Sequence, residues 1–277
     1  MLVTSSAGMN IALFALPAAI FYFAGGLSIG LRLFGDADSR RPPRYLGVTF
    51  GFIGALFHAI TLYLDMASAG GLNLGFFHAF SLAAWTIVLL LLLSAISKPV
   101  ENLGIVLLPV AALTVLLPLR FSGLRLLSPH ADWGLKLHVL VSLLAYSLLA
   151  IASVQAVLLA IQDRHLRTHR PGGFMRALPP LQTMESLLFE MITVGFLLLS
   201  VSLVSGLVYL ENMFAQHLVH KTVLSILAWF AFGILLLGRW RFGWRGRTAI
   251  RWTLTGFVVL VLAYFGSKAV LELILKR

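Results

Sequence analysis

The sequence predicts an all-α protein: a polytopic transmembrane helix bundle of about eight spans, with both termini outside. Three observations predict it. Of 277 residues, 60% are hydrophobic and only 11% charged, against roughly 25% charged in an ordinary soluble domain. The mean hydropathy is +0.95, more apolar surface than one soluble core of this size can hide. Apolar runs of about 20 residues also recur along the chain, each long enough at ~1.5 Å per residue to cross a ~30 Å hydrocarbon layer.

The spans read in order as 10–33, 45–66, 74–96, 101–119, 134–162, 185–210, 219–238 and 249–273, within one integral membrane domain, 1–277. Helices are the expected form, because backbone amides in lipid must bond within their own segment. The N-terminal "MLVTSSAGMN" carries no cation, unlike a cleaved secretory signal, so the first span should be retained. "SRRPPRY" (39–45) breaks span 1 from span 2, and "THRPGGFMRALPP" (168–180) breaks span 5 from span 6 with proline, glycine and arginine. "KPVE" (98–101) and "GRWRFGWRGR" (238–247) are short polar connections. No internal repeat and no soluble domain is apparent.

The net charge of +11 would suggest nucleic acid in a soluble chain. Here the cations fall between spans, so no nucleic-acid partner is expected. Two thirds of the 21 lysines and arginines lie after spans 1, 3, 5 and 7, among them Arg32, Arg44, Arg164, Arg239 and Arg245. Cytoplasmic loops carry that excess, which places both termini outside.

On that topology the histidines are uneven. His165 and His169 lie in a cytoplasmic loop. His58, His78, His130, His138, His217 and His220 fall in the outer half. Intramembrane ionisable residues point to function, and histidine is a common metal and haem-iron ligand. At 100° per residue His138, Ser142, Tyr146 and Ser153 share an arc of about 80° on span 5. That stripe should face other helices, since lipid offers no partner to a hydroxyl or imidazole. The plain alternative is one interhelical hydrogen bond at His138, an interfacial His220, and neutral, hydrogen-bonded imidazoles at His58 and His78. Glu190 reads as a protonated, hydrogen-bonded carboxyl, Lys268 and Glu272 as an i,i+4 ion pair, and Trp85 and Trp229 as packing residues. The absence of cysteine excludes thiol relays, disulfides and thiolate metal sites. The chain has no P-loop, HExxH, GxSxG or paired-carboxylate arrangement, so it is not expected to be an enzyme.

"LKLHVLVSLLAYSLLAIASVQAVLLAIQDRHL" (135–166), "LPPLQTMESLLFEMITVGFLLLSVSLVSGLVY" (178–209) and "HKTVLSILAWFAFGILLLGRWRFGWRGRTAIRWTLTGFVVLVLAYFGSK" (220–268) resemble the cytochrome c assembly protein family of CcsA-like membrane proteins. The likeness is to its shorter YpjD/HemX-like branch. The larger members present haem at the outer face through a tryptophan-rich loop flanked by two histidines. His138 matches the first of these. The loop between spans 6 and 7 is only "ENMFAQHLV" (211–219) and has no tryptophan. The second outer histidine and the one closing the span matched by span 7 are absent.

The resemblance implies a multi-pass protein of the bacterial inner membrane that handles haem in cytochrome c assembly. Its role would be accessory or regulatory, without the presentation loop. A non-covalent, b-type haem would be held by His138 with His220 or His58 as axial iron ligands, and His78 nearby. The implied partners are haem, the bilayer and membrane proteins of cytochrome biogenesis. Two other readings stand beside this one. The chain could be a scaffold binding a membrane partner, or an accessory to metal or cation transport built around His58 and Glu190.

Overall fold

With no water available to the backbone, each apolar run closes its hydrogen bonds as a helix. The computed structural model describes residues 6–35, 42–121, 123, 125–127, 132–167, 178–209 and 219–266. The main helices are α1 (Ser6–Phe34), α2 (Arg44–Ala69), α3 (Phe76–Ser97), α4 (Gly104–Thr114), α5 (Leu117–Arg120), α6 (Trp133–Arg167), α7 (Leu181–Tyr209), α8 (Val219–Phe242) and α9 (Gly246–Val261). A 3-10 turn, Glu101–Leu103, leads into α4, and a π-helical turn, Leu262–Gly266, ends α9. Eight of the resulting segments are long and apolar enough to cross a membrane. They match the expected spans with ends shifted by a few residues, α6 running five residues beyond 162. Lys268 and Glu272, His130, His169 and His217 lie outside the described residues.

The fourth span is broken in two. Pro118 lacks the N–H that would reach back to the Thr114 carbonyl, and the chain turns at Val115–Leu116 before α5 resumes. Pro109 lies inside α4 and packs on Gly26 of α1, where a Cβ would stand 2.8 Å from the proline ring.

The described residues group into two compact units, one containing α1–α5 and the other α6–α9. In the first, α1 packs on α2 and α4, and α3 packs on α2 and α4, closing a four-helix ring. Small residues set its tightest crossing, as they do where dispersion rather than hydrophobicity drives helices together. A Cβ on Gly47 would lie 2.5 Å from Ile29, and one on Gly54 2.7 Å from the Tyr22 ring. At one end of the ring, Glu101 meets Arg44 at 2.8 Å and Arg32 at 4.0 Å. At the other end a short clasp ties the 70–75 turn to residues 121–127. Asn73 accepts from the Gly75 and Arg125 amides and donates to the Gly123 carbonyl.

The second unit repeats the plan with different residues. Here α6 packs on α7 and α9, and α8 packs on the same two, so α6 and α8 face each other across the ring. Gly134 of α6 lies against the Tyr209 ring of α7, leaving no room for a Cβ. Gln155 donates to the Met184 carbonyl and Gln162 to the Pro179 carbonyl, securing buried amides along the same seam. One end again carries a buried carboxylate on two arginines, Glu185 with Arg239 at 3.1 Å and Arg245 at 3.6 Å.

Candidate functional site

The polar stripe on α6 does meet α7. His138 Nδ1 stands 3.0 Å from Ser205 Oγ, and Ser142 Oγ is 2.6 Å from Ser202 Oγ. Ser142 also donates to the His138 carbonyl, and Ser205 to the Ser202 carbonyl at 3.0 Å. A hydroxyl has one proton. With the Ser205 hydrogen directed at Ser202, its oxygen accepts from His138 Nδ1–H. That is an assignment from hydrogen-bond geometry, and in this tautomer Nε2 carries the lone pair. Nε2 makes no hydrogen bond among the described residues, and the imidazole is half-buried. This is the arrangement of a histidine ligand whose second nitrogen is held by an outer-shell partner.

Below His138 on the same face, Tyr146 packs among Phe257, Tyr264 and Phe265, with ring centroids 5.5 to 6.3 Å apart. Two of those rings come from the π-helical turn, a local widening that often marks functional sites. Ser153, the last member of the stripe, bonds its own helix at the Ala150 carbonyl.

His220 is the second residue of α8, exposed, and without a hydrogen bond or ion pair to described residues. Its helix faces α6 across the ring, and cofactor sites in bundles are built from such facing helices.

The other two candidates lie in the first unit. His58 is fully buried and both its nitrogens are engaged, Nε2 with Ser81 at 2.9 Å and Nδ1 with the Tyr22 hydroxyl at 3.3 Å. It thereby ties α2 to α1 and α3, and any iron there would have to displace one of those hydroxyls. His78 is 9% exposed, with Nε2 3.4 Å from Asp65 and a buried Nδ1 that has no hydrogen-bond partner among the described residues. Glu190 lies on the exposed face of α7. Trp85 donates to the Ala55 carbonyl, and Trp229 stacks on Phe196 and donates to Ser200, as packing residues do.

Among the described residues no group of three or more His, Asp or Glu side chains is placed to hold a bare metal ion. A porphyrin changes the requirement, because it supplies four nitrogens itself and leaves only axial positions for protein. His138 fits one such position by its free, oriented Nε2. Sequence reasoning found His138 from its stripe but missed three things: the Ser202–Ser205 partners, the Asp65–His78 pair and the two carboxylate–arginine clusters. The only signal for the last was an acidic residue at a span end beside a cationic loop.

The family model described as cytochrome C assembly protein matches residues 46–275. The inner membrane protein YpjD of Escherichia coli (strain K12) is 32% identical over 94% of this chain and 98% of its own length. Two relatives called cytochrome c biogenesis protein CcsA are more distant. That of Synechococcus sp. (strain CC9605) is 28% identical over half of this chain and 52% of its own length. That of Prochlorococcus marinus (strain MIT 9303) is 28% identical over 66% of this chain and 68% of its own length.

Proposed function

The chain belongs to the cytochrome c assembly protein family, and from that premise we propose that this inner-membrane protein binds haem non-covalently as an accessory or regulatory factor. Bound there, haem would supply an iron with two open axial positions, suited to storage, transfer or electron movement. Residues of the second unit do the holding. His138 would hold the iron through Nε2 while Ser205 fixes its ring, and His220 on the facing helix would be the second ligand. Tyr146, Tyr264 and Phe265 give a flat ligand an aromatic wall.

The single observation that supports this reading is the hydrogen bond between His138 Nδ1 and Ser205, which in the Nδ1–H tautomer leaves Nε2 unprotonated and able to bind a metal. The excess of arginine at the opposite ends of the spans supports an outward orientation for His138 and His220. The segment between α7 and α8, "ENMFAQHLV" (211–219), contains no tryptophan, which supports an accessory role beside other membrane proteins of cytochrome biogenesis.

Absorbance of the purified protein in mild detergent tests the reading. A Soret band should appear on haemin addition, weaken strongly in His138→Ala, and change its ligand-field features in His220→Ala. No Soret band in the unmodified protein, before or after haemin, would overturn it.

A further inference from the structure

The first unit holds a cavity of about 190 Å³ between the C-terminal end of α2 and the N-terminal end of α3, outside the haem residues just described. Its walls include Ala59, Tyr63, Asp65, Met66, His78 and Trp85. Almost all of its surface is apolar, yet it contains an ionisable pair within a membrane span, an expense that calls for a reason. The pair is not a good hydrogen bond. Its 3.4 Å separation exceeds the usual 2.7–3.2 Å, so neither group is well paired by the other.

Size limits the occupant. A cavity of roughly 150 Å³ accepts benzene, so about 190 Å³ takes one substituted six-membered ring. A porphyrin is far too large for it. Polarity limits the occupant further. A ring hydroxyl both donates and accepts, so it can donate to the Asp65 carboxylate and accept from His78 Nε2–H, replacing one long contact by two of ordinary length. Tyr63 and Met66 are 64% and 40% exposed, so the cavity opens sideways from the helix pair, where a lipid tail would leave. We propose that this cavity binds the ring of a lipid-borne quinol, with Asp65 and His78 as its polar contacts and Trp85 as its aromatic wall. The proposal stands independently of the haem reading.

The test uses the full chain in lipid nanodiscs and a short-chain benzoquinol carrying a photoreactive azide, with labelled peptides mapped by mass spectrometry. Labelling should concentrate in residues 59–85 and be competed by the unlabelled quinol. It should fall at least tenfold in Ala59→Phe and in Leu82→Phe, two variants that fill the same space from different helices, and about fivefold in Asp65→Asn. The Soret titration should be unchanged in whichever filling variant keeps a wild-type elution profile. Labelling spread evenly over the helices, or labelling of 59–85 that both filling variants leave intact, overturns the proposal. So does loss of haem binding in His78→Gln with quinol labelling retained, which would assign His78 to haem.

Discussion

Ser205→Ala separates a haem ligand from a packing histidine. The substitution removes one hydroxyl from a half-buried site and creates almost no cavity, so its structural cost is that of one interhelical hydrogen bond in a membrane. Measured cases average about 0.6 kcal/mol and reach about 1.7. The cost to metal binding is of a different size. Removing the outer-shell partner of a metal-bound histidine lowers affinity 10- to 100-fold, or about 1.4 to 2.7 kcal/mol. In this protein the loss also frees the Nδ1 proton to move, because Ser205 is what assigns it there. Haem titration by Soret absorbance should therefore show at least a tenfold weaker Kd for Ser205→Ala, with thermal unfolding nearly unchanged. Ser200→Ala is the control on the same helix, since it loses a bond to Trp229 instead and should leave the Kd alone. In a His138→Ala background Ser205→Ala should alter the Kd by less than twofold, because coupled residues fail to add. A Kd within twofold of wild type for Ser205→Ala alone would refute the tautomer argument.

Three further outcomes concern stability. Ser81→Ala and Tyr22→Phe each leave one nitrogen of the buried His58 without a partner, and should cost about 0.5–2 kcal/mol in denaturation. Ser81→Ala should cost more, since its contact is 2.9 Å against 3.3 Å. Glu185→Gln breaks a buried carboxylate–arginine cluster and should cost several kcal/mol, approaching the 3–5 kcal/mol of buried pairs. Arg245→Ala should cost under about 1 kcal/mol, because that side chain is 67% exposed. Thermal unfolding in detergent ranks the two. Gly54→Leu drives a side chain into the Tyr22 ring, where a Cβ alone would sit 2.7 Å away. It should cost about 1–3 kcal/mol of overpacking and lower the melting temperature.

The His138 stripe shows where sequence reasoning works and where it stops. Periodicity placed His138, Ser142 and Tyr146 on one face, because they share a helix and 100° per residue fixes their relation. It said nothing about Ser202 and Ser205, which lie sixty or more residues away on α7 and were only two more hydroxyls in an apolar run. Likewise Asp65 lies in the last turns of α2 and His78 in the first turn of α3, and they face each other only because the two helices are rotated to bring them together.

The sequence by itself determined the eight helices and their approximate ends, since hydrocarbon thickness and unsatisfied amides leave an apolar run of that length no other form. It did not determine which proline breaks a helix: Pro17 and Pro109 lie inside helices, whereas the fourth span turns just before Pro118. Only the tertiary structure decided which polar groups meet: Glu101 with Arg44 across 57 residues, Glu185 with Arg239 across 54, and His138 with Ser205 across 67. Those pairings depend on the rotation and order of packed helices, set by where glycines allow close approach, and no local spacing rule encodes them. The free nitrogen on which haem binding would depend is a property of that packing.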